Sequence, residues 1–276
     1  MNVPDRFYVA AIVAGRELRS TLYGLSLYLT LSLVLVTISY LGIGGAFFQI
    51  GQSGMAVLSN PVTGPFFLTS VLMAIYLGSG AALSFARERE RGTAEVLFYG
   101  PVDSISYVLG KYLHSMLAFM VVAVLTSLYY LFVSALTGLQ AGMNLLWFGI
   151  LAIFLASAVI ALGEFFACFV RRGMMAVVAY LAVAAIFILF SLVHGWMISI
   201  PGEQLSDTMI YLRIFLDRLD MVMQWVSPVA YFNRGQVAVA HGNAIAFGWT
   251  VAELFVYAVT LLACATLVLR RRGVRP

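Results

Sequence analysis

Few residues in this 276-residue chain are equipped for chemistry. Its single lysine sits in Leu109-Gly110-Lys111-Tyr112, whereas a phosphate-binding loop needs a glycine-rich run closing on Lys-Ser or Lys-Thr. The chain therefore does not hold a nucleotide through a P-loop. His114, His194 and His241 lie far apart, in neither H-x-x-x-H nor H-E-x-x-H spacing, so no zinc-type metal site is expected. Cys168 and Cys264 both fall inside apolar runs and read as small buried hydrophobes, not a disulfide or metal pair. No Ser-His-Asp set or carboxylate pair stands out. A non-catalytic chain with no cofactor of its own is the expectation.

Two acids occupy apolar surroundings, Glu164 and Glu253. A charge at the centre of a membrane helix costs roughly 2.5–3.5 kcal/mol, so such groups usually face a bundle interior or a wet cavity. Either acid can be a substrate- or proton-contacting group. Either can also be protonated or paired near a span end, since Glu164 lies seven residues from Arg171 and Glu253 sits close to the end of its run. An ion-coupled secondary carrier using Glu164 or Glu253 is the alternative function.

The remaining polar chemistry is concentrated in residues 87–111, RERERGTAEVLFYGPVDSISYVLGK. This island holds four of the twelve acidic residues and the lysine, while 20–86 carries no charge at all. Arg87 to Arg91 alternates sign and extends a helix, and Gly92 interrupts it. Thr93 can cap a short new helix, with Glu95 in its first turn against the positive end of the helix dipole. Val96, Leu97, Phe98 and Tyr99 give that helix an apolar surface, Gly100-Pro101 stops it, and Asp103 or Ser104 caps the next one. Exposed Leu, Phe and Tyr on a short helix suit a partner with a groove for them. The headgroup layer of the bilayer is the plainer destination.

The elements that must position this island are membrane spans. Hydrophobic residues make up 62% of the chain and charged ones 10%, against about 25% charge in soluble domains. The apolar runs are too long and too uniform for barrel strands, so the spans are helices. Six are expected, at about 22–46, 66–86, 112–136, 144–170, 174–193 and 246–269, in one membrane domain covering 1–276. Ala74, Gly78, Ala82 and Ala86 form a small-residue stripe for close helix packing. Phe47-Phe48, Phe66-Phe67, Trp147-Phe148, Trp196 and Trp249 mark span ends as an aromatic belt.

Residues 1–21 read as an amphipathic interfacial helix rather than a cleavable leader. Phe7, Tyr8, Ile12 and Val13 take the headgroup layer, and Arg16, Glu17 and Arg19 face water. In the segment 194–245, Leu212, Phe215, Leu216, Leu219, Val222, Met223 and Val226 recur at helical spacing opposite Arg213, Asp217, Asp220 and Gln224. That is a second interfacial helix, ending before Pro228. Thirteen of the sixteen Lys and Arg residues fall in the N-terminal helix, the island, the 171–172 turn and the C-terminal tail. The positive-inside rule then puts both termini and the island in the cytoplasm and 194–245 outside. Basic residues at span ends are no nucleic-acid footprint, so lipid is the expected surface partner.

Glu90-Arg91-Gly92-Thr93-Ala94-Glu95-Val96-Leu97, Pro101-Val102 and Val108-Leu109-Gly110-Lys111 resemble the pattern of type-2 ABC exporter permeases, approximately E-x-x-x-G-T-x-E-x-L-L, P-V-S and a closing G-K. Arg16-Glu17-Leu18-Arg19 resembles the family's start before its first span. Ser227-Pro228 with Phe232, Arg234 and Gly235 resembles the external segment before the sixth span. Phe98 and Asp103 depart from the usual Leu and Ser or Thr.

The resemblance implies a six-span permease half in the cytoplasmic membrane. It would pair with a second half, identical or related, and with two copies of a cytoplasmic ATPase that carries the ATP and Mg. Glu90, Gly92, Thr93, Glu95, Val96, Leu97, Phe98, Pro101 and Lys111 would form the ATPase contact through a coupling helix. Arg16, Glu17 and Arg19 would add a second contact. The cargo is not readable.

Overall fold

The computed structural model describes residues 6–53, 62–90, 103–137, 144–170, 172–200 and 206–271. Their regular structure is entirely helical, in the order α1 (Arg6–Leu22), α2 (Leu25–Ser53), α3 (Thr63–Glu90), α4 (Ser104–Thr137), α5 (Asn144–Phe169), α6 (Gly173–Ser199), α7 (Asp207–Val226), α8 (Pro228–Ala240) and α9 (Ala244–Arg271). Six of these, α2 to α6 and α9, are long and apolar enough to cross a membrane. The chain is an all-helical, multi-pass membrane protein.

Each span expected from the sequence falls on one of these helices, but the helices outrun the apolar stretches. The α3 helix continues through Arg87 and Glu88 to Glu90, because Arg and Glu are good helix formers that need no burial. The α4 helix begins at Ser104, well before its first long apolar run. Asp103 starts it: its Oδ1 accepts from the Ile105 and Ser106 amides, the latter at 3.0 Å, satisfying two of the orphan donors of the first turn.

The centre of the bundle is the crossing of α3 and α5. Just over half (56%) of each apolar span is buried there, against 17% for α2 and 22% for α6 and α9. Lipid tails are as apolar as leucine, so helices associate in a membrane through close packing and hydrogen bonds. The small-residue stripe supplies the first. A Cβ on Gly163 would run into the Gly78 carbonyl, and one on Gly78 would run into the Tyr180 hydroxyl of α6. Ala74 and Ala82 lie buried a turn to either side. Hydroxyl pairs supply the second. Tyr130 meets Thr69 at 3.1 Å, Tyr112 meets Ser157 at 2.6 Å, and Tyr180 donates to the Ile75 carbonyl at 3.4 Å.

The first helix does more than cover a surface. Val9, Ala10 and Ala14 are buried, and α1 crosses α4 where Gly110 leaves room: a Cβ there would lie 3.0 Å from both the Ala10 carbonyl oxygen and the Val13 Cβ. Phe7, Tyr8 and Ile12 remain exposed on the other face, with Arg16 and Arg19. Glu17 departs from expectation. The helical spacing puts it on the water-facing side, whereas the structure turns it onto α4, to the ammonium of Lys111.

Helix α8 is not foreseen by the sequence reading. Pro228 occupies its first turn, where the missing amide costs nothing. Tyr231, Phe232, Gly235 and Ala238 form its buried face. Phe232 stacks on Phe67 of α3 with ring centroids 3.7 Å apart, and Gly235 admits Leu151 of α5, whose methyl groups would sit 2.7 Å from an added Cβ. The α7 helix ends against this unit. Its last carbonyls, which have no intrahelical donor, accept from side chains instead. Arg234 Nη2 donates to Gln224 O (2.8 Å), the Tyr231 hydroxyl to Trp225 O (2.8 Å) and the Tyr257 hydroxyl of α9 to Val226 O (2.9 Å).

Candidate functional site

The two residues of the closing Gly110-Lys111 pair have separate jobs. Gly110 lets α1 approach, and Lys111, the next residue, meets what α1 brings. The Lys111 side chain is 1% exposed, and its ammonium has three N–H donors to satisfy. Glu17 Oε1 of α1 accepts at 2.6 Å, Glu88 Oε1 of α3 at 2.8 Å and Ser84 Oγ of α3 at 3.3 Å. Taking charges out of water costs several kcal/mol per ion and is offset only by good geometry with every donor matched. Here all three are matched. The Tyr107 hydroxyl donates to the second oxygen of Glu88, and the Tyr107 ring lies 5.6 Å from the ammonium. One turn along α4, His114 Nε2 meets Thr21 Oγ1 at 2.8 Å, with Nδ1 3.7 Å from Glu17 Oε2. The result is a tie joining α1, α3 and α4.

Glu164 of α5 is fully buried within electrostatic reach of Lys111, Glu17 and Glu88, and neither of its carboxyl oxygens has a hydrogen-bond partner among the described residues. A cavity of about 740 Å³ opens beside the tie, bordered by α1, the start of α2, α3 and α4. Glu17, Glu88, Lys111 and His114 all line it.

The ends of the polar island are placed by two carboxylates. Asp103 starts α4, as described. Glu90, exposed at the end of α3, accepts from the Gly173 amide at 2.7 Å, so it sits at the positive end of α6. Gly92, Thr93, Glu95, Val96, Leu97, Phe98 and Pro101 lie outside the described residues. Of the expected contact set, Lys111 is not a surface residue: it is held inside the tie, and so is Glu17.

Glu253 is not brought to Glu164's partners. Its Oε2 lies 3.6 Å from Arg234 Nη1, and Arg234 also stacks over the Tyr231 ring at 4.6 Å. It belongs to the group that holds the end of α7. The sequence reading passed over Glu88, Ser84 and Tyr107. Their signal is spacing: Ser84 and Glu88 stand at i, i+4 on α3, and Tyr107 and Lys111 at i, i+4 on α4, which puts each pair on one helix face.

A family model described as ABC-2 family transporter protein matches residues 11–274. No curated protein matches the chain.

Proposed function

The chain belongs to the ABC-2 transporter family, a family of membrane transport permeases, and from that premise we propose that it is one half of an ATP-driven exporter whose energy arrives through residues 87–111. The ion-coupled carrier is set aside on the family assignment. The chain itself supplies no hydrolytic machinery. A separate cytoplasmic ATPase in two copies binds ATP and Mg, and a second permease half completes the pore. Both termini and the island face the cytoplasm.

The observation that carries this reading is the tie beside the island. A push on residues 91–102 reaches α3 at Glu90 and α4 at Asp103. Because Lys111 pins α3 and α4 to α1 through buried ion pairs, the three helices move as one body. Glu90, bonded to the first amide of α6, passes part of the motion to a fourth. The interfacial placement of α1 and α7 belongs to the same proposal: the exposed Phe7, Tyr8 and Ile12, like Phe215, Val222 and Trp225 of α7, are covered by lipid headgroups and chain ends.

Two measurements test it. Purification in mild detergent is expected to bring down an ATPase with the permease. In proteoliposomes of that complex, Gly92→Pro and Glu95→Lys are expected to leave expression intact and abolish transport-stimulated hydrolysis. Wild-type coupling in both variants would refute the assignment of the island.

A further inference from the structure

Glu164 is the one fully buried acid among the described residues, and the tie leaves it out. Neither of its carboxyl oxygens has a bond partner there. A buried acceptor left unbonded costs the full desolvation of the group, so its retention calls for a second arrangement in which it is used.

Its surroundings limit what can use it. Gly163, the residue before it, meets the Gly78 backbone of α3. One turn on, Ala167 and Cys168 pack with Phe85 of α3 and with Tyr107 and Val108 of α4. Two turns back on the same face, Ser157 bonds the Tyr112 hydroxyl of α4. Glu164 therefore lies in the seam of α3, α4 and α5, beside Lys111. The other buried side-chain atoms without a bond among the described residues are Thr126 Oγ1 and Arg234 Nε. Thr126 stands four turns beyond Lys111 on α4, about 22 Å away. Gly235, next to Arg234, packs on Leu151, about 20 Å back along α5. The donor left within reach is the lysine, on its flexible four-carbon stem.

Lys111 holds its three bonds unequally. Those to Glu17 at 2.6 Å and Glu88 at 2.8 Å are short and charge-assisted, whereas the neutral Ser84 hydroxyl is 3.3 Å away. That third bond is the one to exchange, since the Ser84 hydroxyl keeps its own bond to the Ala81 carbonyl.

We propose that Glu164 is a second seat for Lys111: when the joined α1, α3 and α4 move against α5, the ammonium keeps Glu17 and Glu88, releases Ser84 and bonds Glu164, latching the moved helices to α5. The bundle then has two discrete positions, with the acceptor open in one and filled in the other. Glu164 acts through Lys111 and is a positioning residue. The inference rests on the coupling reading for the force that moves the helices. The pairing itself is tested in the full-length chain without ATPase or nucleotide, so its failure and a failure of coupling show in different measurements.

The chain has a single lysine, so isotopic labelling of lysine Nζ gives one ammonium signal by NMR in micelles. Ser84→Ala removes the third acceptor and is expected to shift that signal as the ammonium turns to Glu164. Glu164→Met then has opposite effects in the two backgrounds. Alone, it removes an unbonded acid, so the lysine signal is expected to stay in place and the thermal unfolding midpoint to hold or rise. Added to Ser84→Ala, it removes the seat in use, so the signal is expected to move again and the midpoint to fall. A role in packing alone would shift the midpoint equally in both backgrounds and leave the lysine signal indifferent to Glu164→Met. That result overturns the proposal, as does a lysine signal that responds to Glu164→Met as strongly without Ser84→Ala as with it.

Discussion

The two ends of this bundle are fastened by different chemistry. Near the polar island, α1, α3 and α4 are joined side chain to side chain through a lysine that is almost wholly buried between two carboxylates. At the opposite end, α7 is held side chain to backbone: Arg234, Tyr231 and Tyr257 each donate to one of its last carbonyls. The ion pair there, Arg234 with Glu253, is longer at 3.6 Å and about a third exposed on both sides. The first arrangement is expected to fail as a unit when one member goes, because it leaves charges unbalanced where water reaches them only in part. The second loses one bond at a time. On the proposed reading, the end that receives the push gains from the first kind of joint, and the end that only holds a helix in place is served by the second.

Lys111→Met breaks the comparison most severely. Removing one partner of a buried pair costs about 3–5 kcal/mol, and since Glu17 and Glu88 keep some contact with water the lower part of that range is expected. Reversible unfolding in mixed micelles measures it, and a loss below about 1 kcal/mol would put this joint in the class of surface pairs. Next comes the double-mutant cycle of Glu17→Gln and Glu88→Gln. Both acids bond the same ammonium, so the cycle is expected to show a coupling of about 0.5–3 kcal/mol, and simple additivity would mean that the tie is two independent bonds. Tyr257→Phe is expected to cost about 0.6 kcal/mol, the average for a hydrogen bond between membrane helices. Hydrogen exchange should then rise at the end of α7 and nowhere near Lys111. Arg234→Lys sits at the small end, about 0.5 kcal/mol, because the charge near Glu253 is kept at a part-exposed site while the bond to Gln224 and the stacking on Tyr231 are weakened.

The spans were readable because a membrane leaves little choice: long uniform apolar runs bounded by arginine have one solution. The close-packing role of Ala74, Gly78 and Ala82 was equally open to inspection, since small residues at four-residue spacing admit a neighbouring backbone. Helix α8 was not. Its length is short, and Arg234, Gln236 and Gly235 look like loop until Leu151 and Phe67 are set against them. The tie was half visible. Lys111 drew attention as the lone lysine, but Glu17 lies 94 positions earlier in the chain, and nothing local says that a glycine beside the lysine brings the two helices into contact. Long-range pairing of this kind is written in the packing of α1 on α4, not in any one motif.

The backbone meeting of Gly78 with Gly163, closed off by the Tyr180 hydroxyl, has a geometric consequence. It packs α3 against α5 backbone to backbone at that level, so a tilt of the helix would turn about that point, as a rod on a fulcrum. From Gly78 to Glu90 the arm is about 18 Å and from Gly78 back to Thr63 about 22 Å, at about 1.5 Å per residue. A sideways step at the Glu90 end therefore returns at the Thr63 end slightly enlarged and reversed in direction.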